Sequence, residues 1–193
     1  MQFKAYKSNK THDELIQLLS NINDLNIYHK IDTEDHITCV VECIECIGIG
    51  EFPIKNPVRF NISIMKTDTP VVMIELISTL SNNKLKMIEE QLKLDDIVLK
   101  REDMIMIYHN HVLKLLQMYV ITKRGNIREL ESKTDVESCM DNISEILAIT
   151  FIPKIESCDT IPVAMVKKEG IFITDVDYNS SVEFINGIIS NIR

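Results

Sequence analysis

The chain has 193 residues, 45% of them hydrophobic and 26% charged, and a net charge of −8. That length can bury a substantial core without disulfides or metal staples, and the composition excludes a disordered chain. The acidic balance excludes a protein that grips nucleic acid over its whole surface, a mode that needs excess Lys and Arg to displace counterions, but it leaves local basic patches open.

The opening MQFKAYKSNKTHDEL has no apolar run ahead of its polar residues, and no stretch approaches the roughly eighteen apolar residues that span a bilayer. An intracellular, soluble protein is expected, folded as one domain over residues 1–193. In a reducing compartment its five cysteines read as thiols. Abundant Ile, scarce Ala and absent Trp read as a coding bias rather than a functional signal.

In chain order, Thr11 and Glu14 stand in capping-box spacing ahead of Leu15, Ile16, Leu18, Leu19 and Ile22, which predicts a first helix of about three turns. Strands follow around Leu25 to His29 and Ile37 to Ile47, separated by the turn DTED. A connection, GIGEFPIKNP, leads to an alternating strand from Val58 to Met65. After Asp68-Thr69-Pro70, apolar residues at Val72, Ile74, Ile77, Leu80, Leu85, Ile88 and Leu92 predict a long helix, interrupted at Ser81-Asn82-Asn83.

The runs DIVL with EDMIMIYH, and HVLKLLQMYVITK up to Arg124-Gly125-Asn126, read as strands. Thr134 and Glu137 open a predicted helix through Val136, Met140, Ile143, Ile146 and Leu147. The tail reads as the strand IPVAMVKK, a Glu169-Gly170 turn, the strand IFITDV and a helix capped by Ser180 and Glu183. The architecture is therefore α+β, with a mostly antiparallel sheet and amphipathic helices over one face.

The densest chemistry is CVVECIEC, where Cys39, Cys43 and Cys46 fall within eight residues. Zinc needs two closely spaced ligand pairs, usually in tight turns. A second pair would have to come from His109 and His111 or from Cys139 and Cys158, and neither has the turn signature. Strand alternation places Cys39, Val41 and Cys43 on one face, so the cysteines read as core thiols rather than metal ligands. Glu42 and Glu45 beside them oppose a reactive thiolate. His109-Asn110-His111 reads as an exposed turn or a strand face.

The chain has five glycines, and Gly48-Ile49-Gly50 completes neither a phosphate loop nor a dinucleotide fingerprint. Asp95-Asp96 and Asp175-Val176-Asp177 are carboxylate pairs at turns. An enzyme using Asp175 and Asp177 with a divalent ion would need a third ligand or a nucleophile, and the sequence supplies neither. No cofactor and no catalytic residue is expected.

The order of elements from LDDIVLKREDMIMIYHNH through HVLKLLQMYVITK, the tag Gly125-Asn126-Ile127, a helix and then IPVAMVKKEGIFITDVDYNSSVE resembles the ribonuclease PH family, and within it the non-catalytic ring subunits of the RNA exosome. Ile161-Pro162-Val163, the hairpin at Gly170 and the acids Asp175 or Asp177 with Glu183 follow the family's later strands, and Thr38 to Glu45 takes the place of an early one. The resemblance spans roughly residues 11 to 183. It implies a ribonuclease PH-like (ribosomal protein S5 domain 2-like) sheet in a compacted member of the family.

Active members hold phosphate and RNA with Arg residues, and this chain's five, Arg59, Arg101, Arg124, Arg128 and Arg193, follow no Gly-Thr or Gly-Ser pair. The resemblance therefore implies a structural subunit. Its implied partners are other ribonuclease PH-like subunits in a hetero-hexameric ring, RNA-binding cap subunits, an associated nuclease and the RNA in the channel, in nucleus and cytoplasm. Lys55 and Arg59, beside the segment that takes the place of the family's RNA-facing loops, are the RNA-binding candidates. The competing reading is a stand-alone α+β protein–protein interaction module with no RNA role.

Overall fold

A computed structural model of the chain describes residues 1–49, 52–154 and 162–192. The protein is α+β, with five α-helices among the described residues, and within each of its two units the strand registers are antiparallel. Two compact units make up the chain: Phe3–Ile97, and Val98–Arg193 together with Met1–Gln2.

The first unit contains β1 (Gln2–Lys7), α1 (His12–Ser20), β2 (Leu25–Asp32), β3 (His36–Ile49), β4 (Phe52–Met65), β5 (Val71–Glu75), α2 (Asn82–Leu92) and the short β6 (Asp95–Asp96). Its strands lie in the order β2-β3-β4-β5-β1, with β6 beside β1. Thr11 caps α1 as its spacing predicts: the hydroxyl accepts from Glu14 N at 3.2 Å, and the Glu14 carboxylate accepts from Thr11 N at 2.8 Å. Leu15 and Leu19 of α1 and Ile88 and Leu92 of α2 are buried against one sheet face made by Cys39, Val41, Phe60, Ile62, Val72 and Ile74.

Two expectations change in this unit. The long helix through Val72 begins only after residue 81: Val71–Glu75 is a strand whose Val71, Val72, Met73 and Ile74 are all buried. A short apolar run buried on both faces carries no alternation, so periodicity alone cannot tell it from helix. The expected GIGEFPIKNP connection is strand at residues 48–49 and 52–57, because β3 and β4 pair in unbroken register from His36↔Met65 to Ile49↔Phe52. β1, outside the sequence expectations, pairs with β5 from Phe3↔Glu75 to Lys7↔Val71.

The second unit runs through α3 (Arg101–His111), β7 (Val112–Thr122), β8 (Ile127–Leu130), α4 (Lys133–Cys139), a 3-10 turn at Met140–Asn142, β9 (Ile143–Pro153), β10 (Ala164–Lys167), β11 (Ile171–Thr174) and α5 (Tyr178–Ile189). Its strand order is β8-β7-β9-β10-β11. EDMIMIYH is helical rather than extended: Met104, Ile107 and Tyr108 bury at i, i+3 and i+4, and Asp103 accepts from Lys100 N at 2.8 Å. Conversely, the helix expected through Ile143 to Leu147 is β9, where Ile149 and Phe151 are buried. The caps move too. Ser132 rather than Thr134 caps α4, and Asp177 rather than Ser180 caps α5. The Glu169-Gly170 hairpin is present, with Gly170 at φ +70°. Ile161 and Cys158 lie outside the described residues.

Candidate functional site

The cysteine strand is β3. Alternation turns Cys39 and Cys43 into the core, where both are buried, and Cys46 outward to solvent. Cys43 and Cys46 therefore occupy opposite faces and cannot share one ion. Burial pushes the Cys39 and Cys43 thiols above their ordinary range, with Glu45 and Glu42 adding to the effect at Cys43. Glu45, also on the core face, has its Oε1 2.8 Å from Ser81 N, so this carboxylate holds the backbone at the start of α2 while Ser81 Oγ accepts from Lys84 N.

The other face of the β3–β4 hairpin carries Glu42, Ile44 and Cys46 opposite Arg59, Pro57 and Lys55. Lys55 and Arg59 thus share a face, exposed and four residues apart along β4. The structure gives Arg59 two partners on this face. Its Nε donates to Glu42 Oε2 at 2.6 Å, and its guanidinium lies 4.1 Å above the ring centroid of Tyr28 on β2. Sequence reasoning misses Glu42 and Tyr28, because they meet Arg59 only through strand register.

Beyond this cluster the hairpin continues without a flanking strand among the described residues. β2 covers β3 only as far as Cys43, and β5 meets β4 only at Ile62 to Ile64. Ile44 and Ile54 are exposed on the arm. On β2 itself, Tyr28 through Asp32 are exposed on both faces.

The other sequence candidates have structural duties. Asp175 Oδ1 accepts from Val163 N at 2.5 Å, and the Asp177 carboxylate takes Ser180 N at 3.1 Å and Ser180 Oγ at 2.6 Å, which lowers its pKa. His109 and His111 form the last turn of α3, not a loop. His109 stacks edge-on to Tyr108, while His111 has its Nε2 buried, and burial followed by the charge of Lys154 holds that ring below its ordinary pKa. Among the described residues no three His, Cys, Asp or Glu side chains gather in a metal-holding arrangement.

A polar cluster ties α2 to β1. Tyr6 Oη donates to Glu89 Oε1 at 2.5 Å, Lys4 Nζ lies 3.2 Å from the same oxygen, and Lys4 also reaches Asp96 at 2.8 Å. Burial and then the Glu89 carboxylate raise the Tyr6 phenol far above its usual range. Burial works against the charge on Lys4, but Asp96 and Glu89 outweigh it and its pKa is raised.

No helix among the described residues is long and apolar enough to cross a membrane. Compared with known proteins, the chain matches no protein-family model and no curated protein.

Proposed function

We propose that this chain is a non-catalytic structural subunit of an RNA exosome ring, a compacted ribonuclease PH-like (ribosomal protein S5 domain 2-like) protein that pairs with sister subunits. In that role it supports 3′–5′ RNA processing and degradation by a separate nuclease, together with RNA-binding cap subunits, in nucleus and cytoplasm. The observation that carries the reading is a pair of strands that are edges among the described residues and expose large apolar side chains between their charged ones: Tyr28 at 65% and Ile31 at 47% beside Lys30 and Asp32 on β2, and Ile127 at 68% beside Arg128 and Glu129 on β8.

An edge strand leaves alternate backbone N–H and C=O groups unpaired, and apolar side chains beside them favour the addition of another chain. The far end of the β3–β4 hairpin, held to the start of α2 by Glu45 but flanked by no further strand among the described residues, supports the same role, because a two-stranded ribbon is marginal in water until more packs on it. The order of tags adds to this: Gly125-Asn126-Ile127 follows β7, and Pro162-Val163 leads into β10, the Gly170 hairpin and β11.

Affinity purification of the tagged chain from its native source tests the reading. Sister ribonuclease PH-like subunits and cap proteins are expected in stoichiometric amounts, and their absence defeats it. A second reading, the stand-alone interaction module without RNA, draws support from the elements at Val71–Glu75, Arg101–His111 and Ile143–Pro153, which depart from the order that the resemblance implies. Stoichiometric recovery with a partner of another class would select it.

A further inference from the structure

Arginine is the informative cation in this molecule, because some of its guanidinium groups are held by the fold and others are open. Arg59 is held by Glu42, and Arg101 donates to the carbonyls of Ile143 and Met140 at 3.0 and 3.1 Å. The Arg124 and Arg128 side chains make no ion pair or hydrogen bond among the described residues. Both line one cleft of about 240 Å³ at the end of the β7–β8 hairpin, together with Lys123, Asn126, Asn142 and Thr122.

Two larger clefts, of about 600 and 470 Å³, mix their lysines with Asp68 and Asp95 in one and Glu131 in the other. The small cleft has three cations and no carboxylate in its lining, in a chain whose net charge is −8. Asp141 neighbours Asn142 in sequence but does not line it.

Three cations around one cleft, with no carboxylate in its lining, give an anion there a favourable field. The frame that holds these is fixed by hydrogen bonds: Lys123 N donates to Asn142 O at 2.8 Å, Thr122 N to Asn126 O at 2.9 Å, and Ser144 Oγ to Ile121 O at 2.9 Å. Gly125, at φ +80°, makes the turn that seats Arg124 between Lys123 and Asn126.

We propose that this cleft is a phosphate-binding site. Guanidinium forks match phosphate oxygens two at a time, and the Asn amides and the Thr hydroxyl add neutral donors. A volume below the usual 300–1,000 Å³ of drug-sized ligand pockets suits a single phosphate group, either free or borne on a nucleotide or RNA backbone whose remainder stays outside. The inference goes beyond the ring-subunit reading and stands without it.

The test uses the full chain with three probes at low salt: inorganic phosphate, adenosine monophosphate, and a fluorescein-labelled single-stranded oligouridine read by anisotropy. Saturable binding of a phosphate-bearing probe is expected, weakened at least tenfold in Arg124→Gln/Arg128→Gln and weakened less in Arg124→Lys/Arg128→Lys, which keeps the charges but loses the forks. Far-UV circular dichroism melts confirm that the variants fold.

If the source is an RNA backbone, the wild type shows a log–log salt slope of about −2, the value for three cations on a single strand, and the Gln variant falls to about −0.7. If the source is free phosphate, inorganic phosphate binds as tightly as the RNA does. Equal binding by wild type and the Gln variant, or no binding of any probe by the wild type, overturns the proposal. Co-purification reports separately on the ring reading, so either can fail without the other.

Discussion

Replacing Tyr6 by Phe removes one hydroxyl from a side chain that is 0% exposed and keeps the volume of its ring. The substitution deletes the 2.5 Å hydrogen bond to Glu89 Oε1, and Glu89 retains Lys4 Nζ at 3.2 Å. A hydrogen bond to a charged group contributes about 1.5–3 kcal/mol, and because the carboxylate keeps a partner the expected loss is at the low end, about 1.5 kcal/mol. Its pH dependence is equally specific. Folded Tyr6 stays protonated because burial and Glu89 raise its pKa, whereas in the unfolded chain it titrates near its ordinary value of about 10.

A raised folded pKa gives stability that is complete below the unfolded pKa and lost above it, here at about 1.4 kcal/mol per pH unit. The difference between wild type and Tyr6→Phe should hold near 1.5 kcal/mol up to about pH 9.5 and vanish about one unit above pH 10. Lys4 titrates in both proteins and cancels from the difference to first order. Urea unfolding followed by far-UV circular dichroism is the assay, since the chain has no Trp. A difference under about 0.5 kcal/mol at pH 7, or one that persists at pH 11, is incompatible with a buried phenol bonded to Glu89.

Glu45→Ala should destabilise the chain by about 1–3 kcal/mol, by leaving Ser81 N without its acceptor, while Glu45→Gln keeps an acceptor and most of the stability; urea midpoints compare the two. In a Cys139→Ser/Cys158→Ser background, native-state thiol titration should find Cys46 reactive and Cys39 and Cys43 silent until denaturant is added. In the same background, Cys39→Val with Cys43→Val should cost less than about 1.5 kcal/mol per site, measured by urea unfolding. Gly125→Ala should cost about 1–2 kcal/mol through its φ of +80° rather than through a clash, since nothing lies within 4 Å of the added Cβ, and a thermal melt measures it.

Elements with an amphipathic period or a cap are legible in the sequence: α1 from Thr11 and Glu14, the β2–β3 turn at DTED, β7, and the Glu169-Gly170 hairpin. Expectation and structure part where two periods compete. Val71–Glu75 is buried on both faces and so has no alternation, while the apolar density of EDMIMIYH conceals a helix that buries only Met104, Ile107 and Tyr108. β9 imitates a helix because Ile143, Ile146 and Leu147 sit three and one apart, a spacing that an irregular strand also produces, and its pairing with β7 has several register shifts.

Of the site, strand parity correctly groups Cys39 and Cys43 with Val41 on the core face, because residues two and four apart share a face whatever the register. What surrounds Arg59 is not legible, because Glu42 comes opposite it only in the β3–β4 register and Tyr28 lies a strand further on. The cationic cleft is hidden for a similar reason: Lys123 and Arg124 adjoin in sequence, but Arg128, Asn126 and Asn142 join them only once the hairpin and β9 have formed.

Whether this chain builds a ring with sister subunits is decided by purifying the tagged full chain from its native source and weighing the intact assembly by native mass spectrometry. One copy of this chain is expected among other ribonuclease PH-like subunits in a six-membered ring carrying cap proteins. Recovery of the chain as a free monomer, or in a stoichiometric complex that contains no ribonuclease PH-like protein, would rule the ring out.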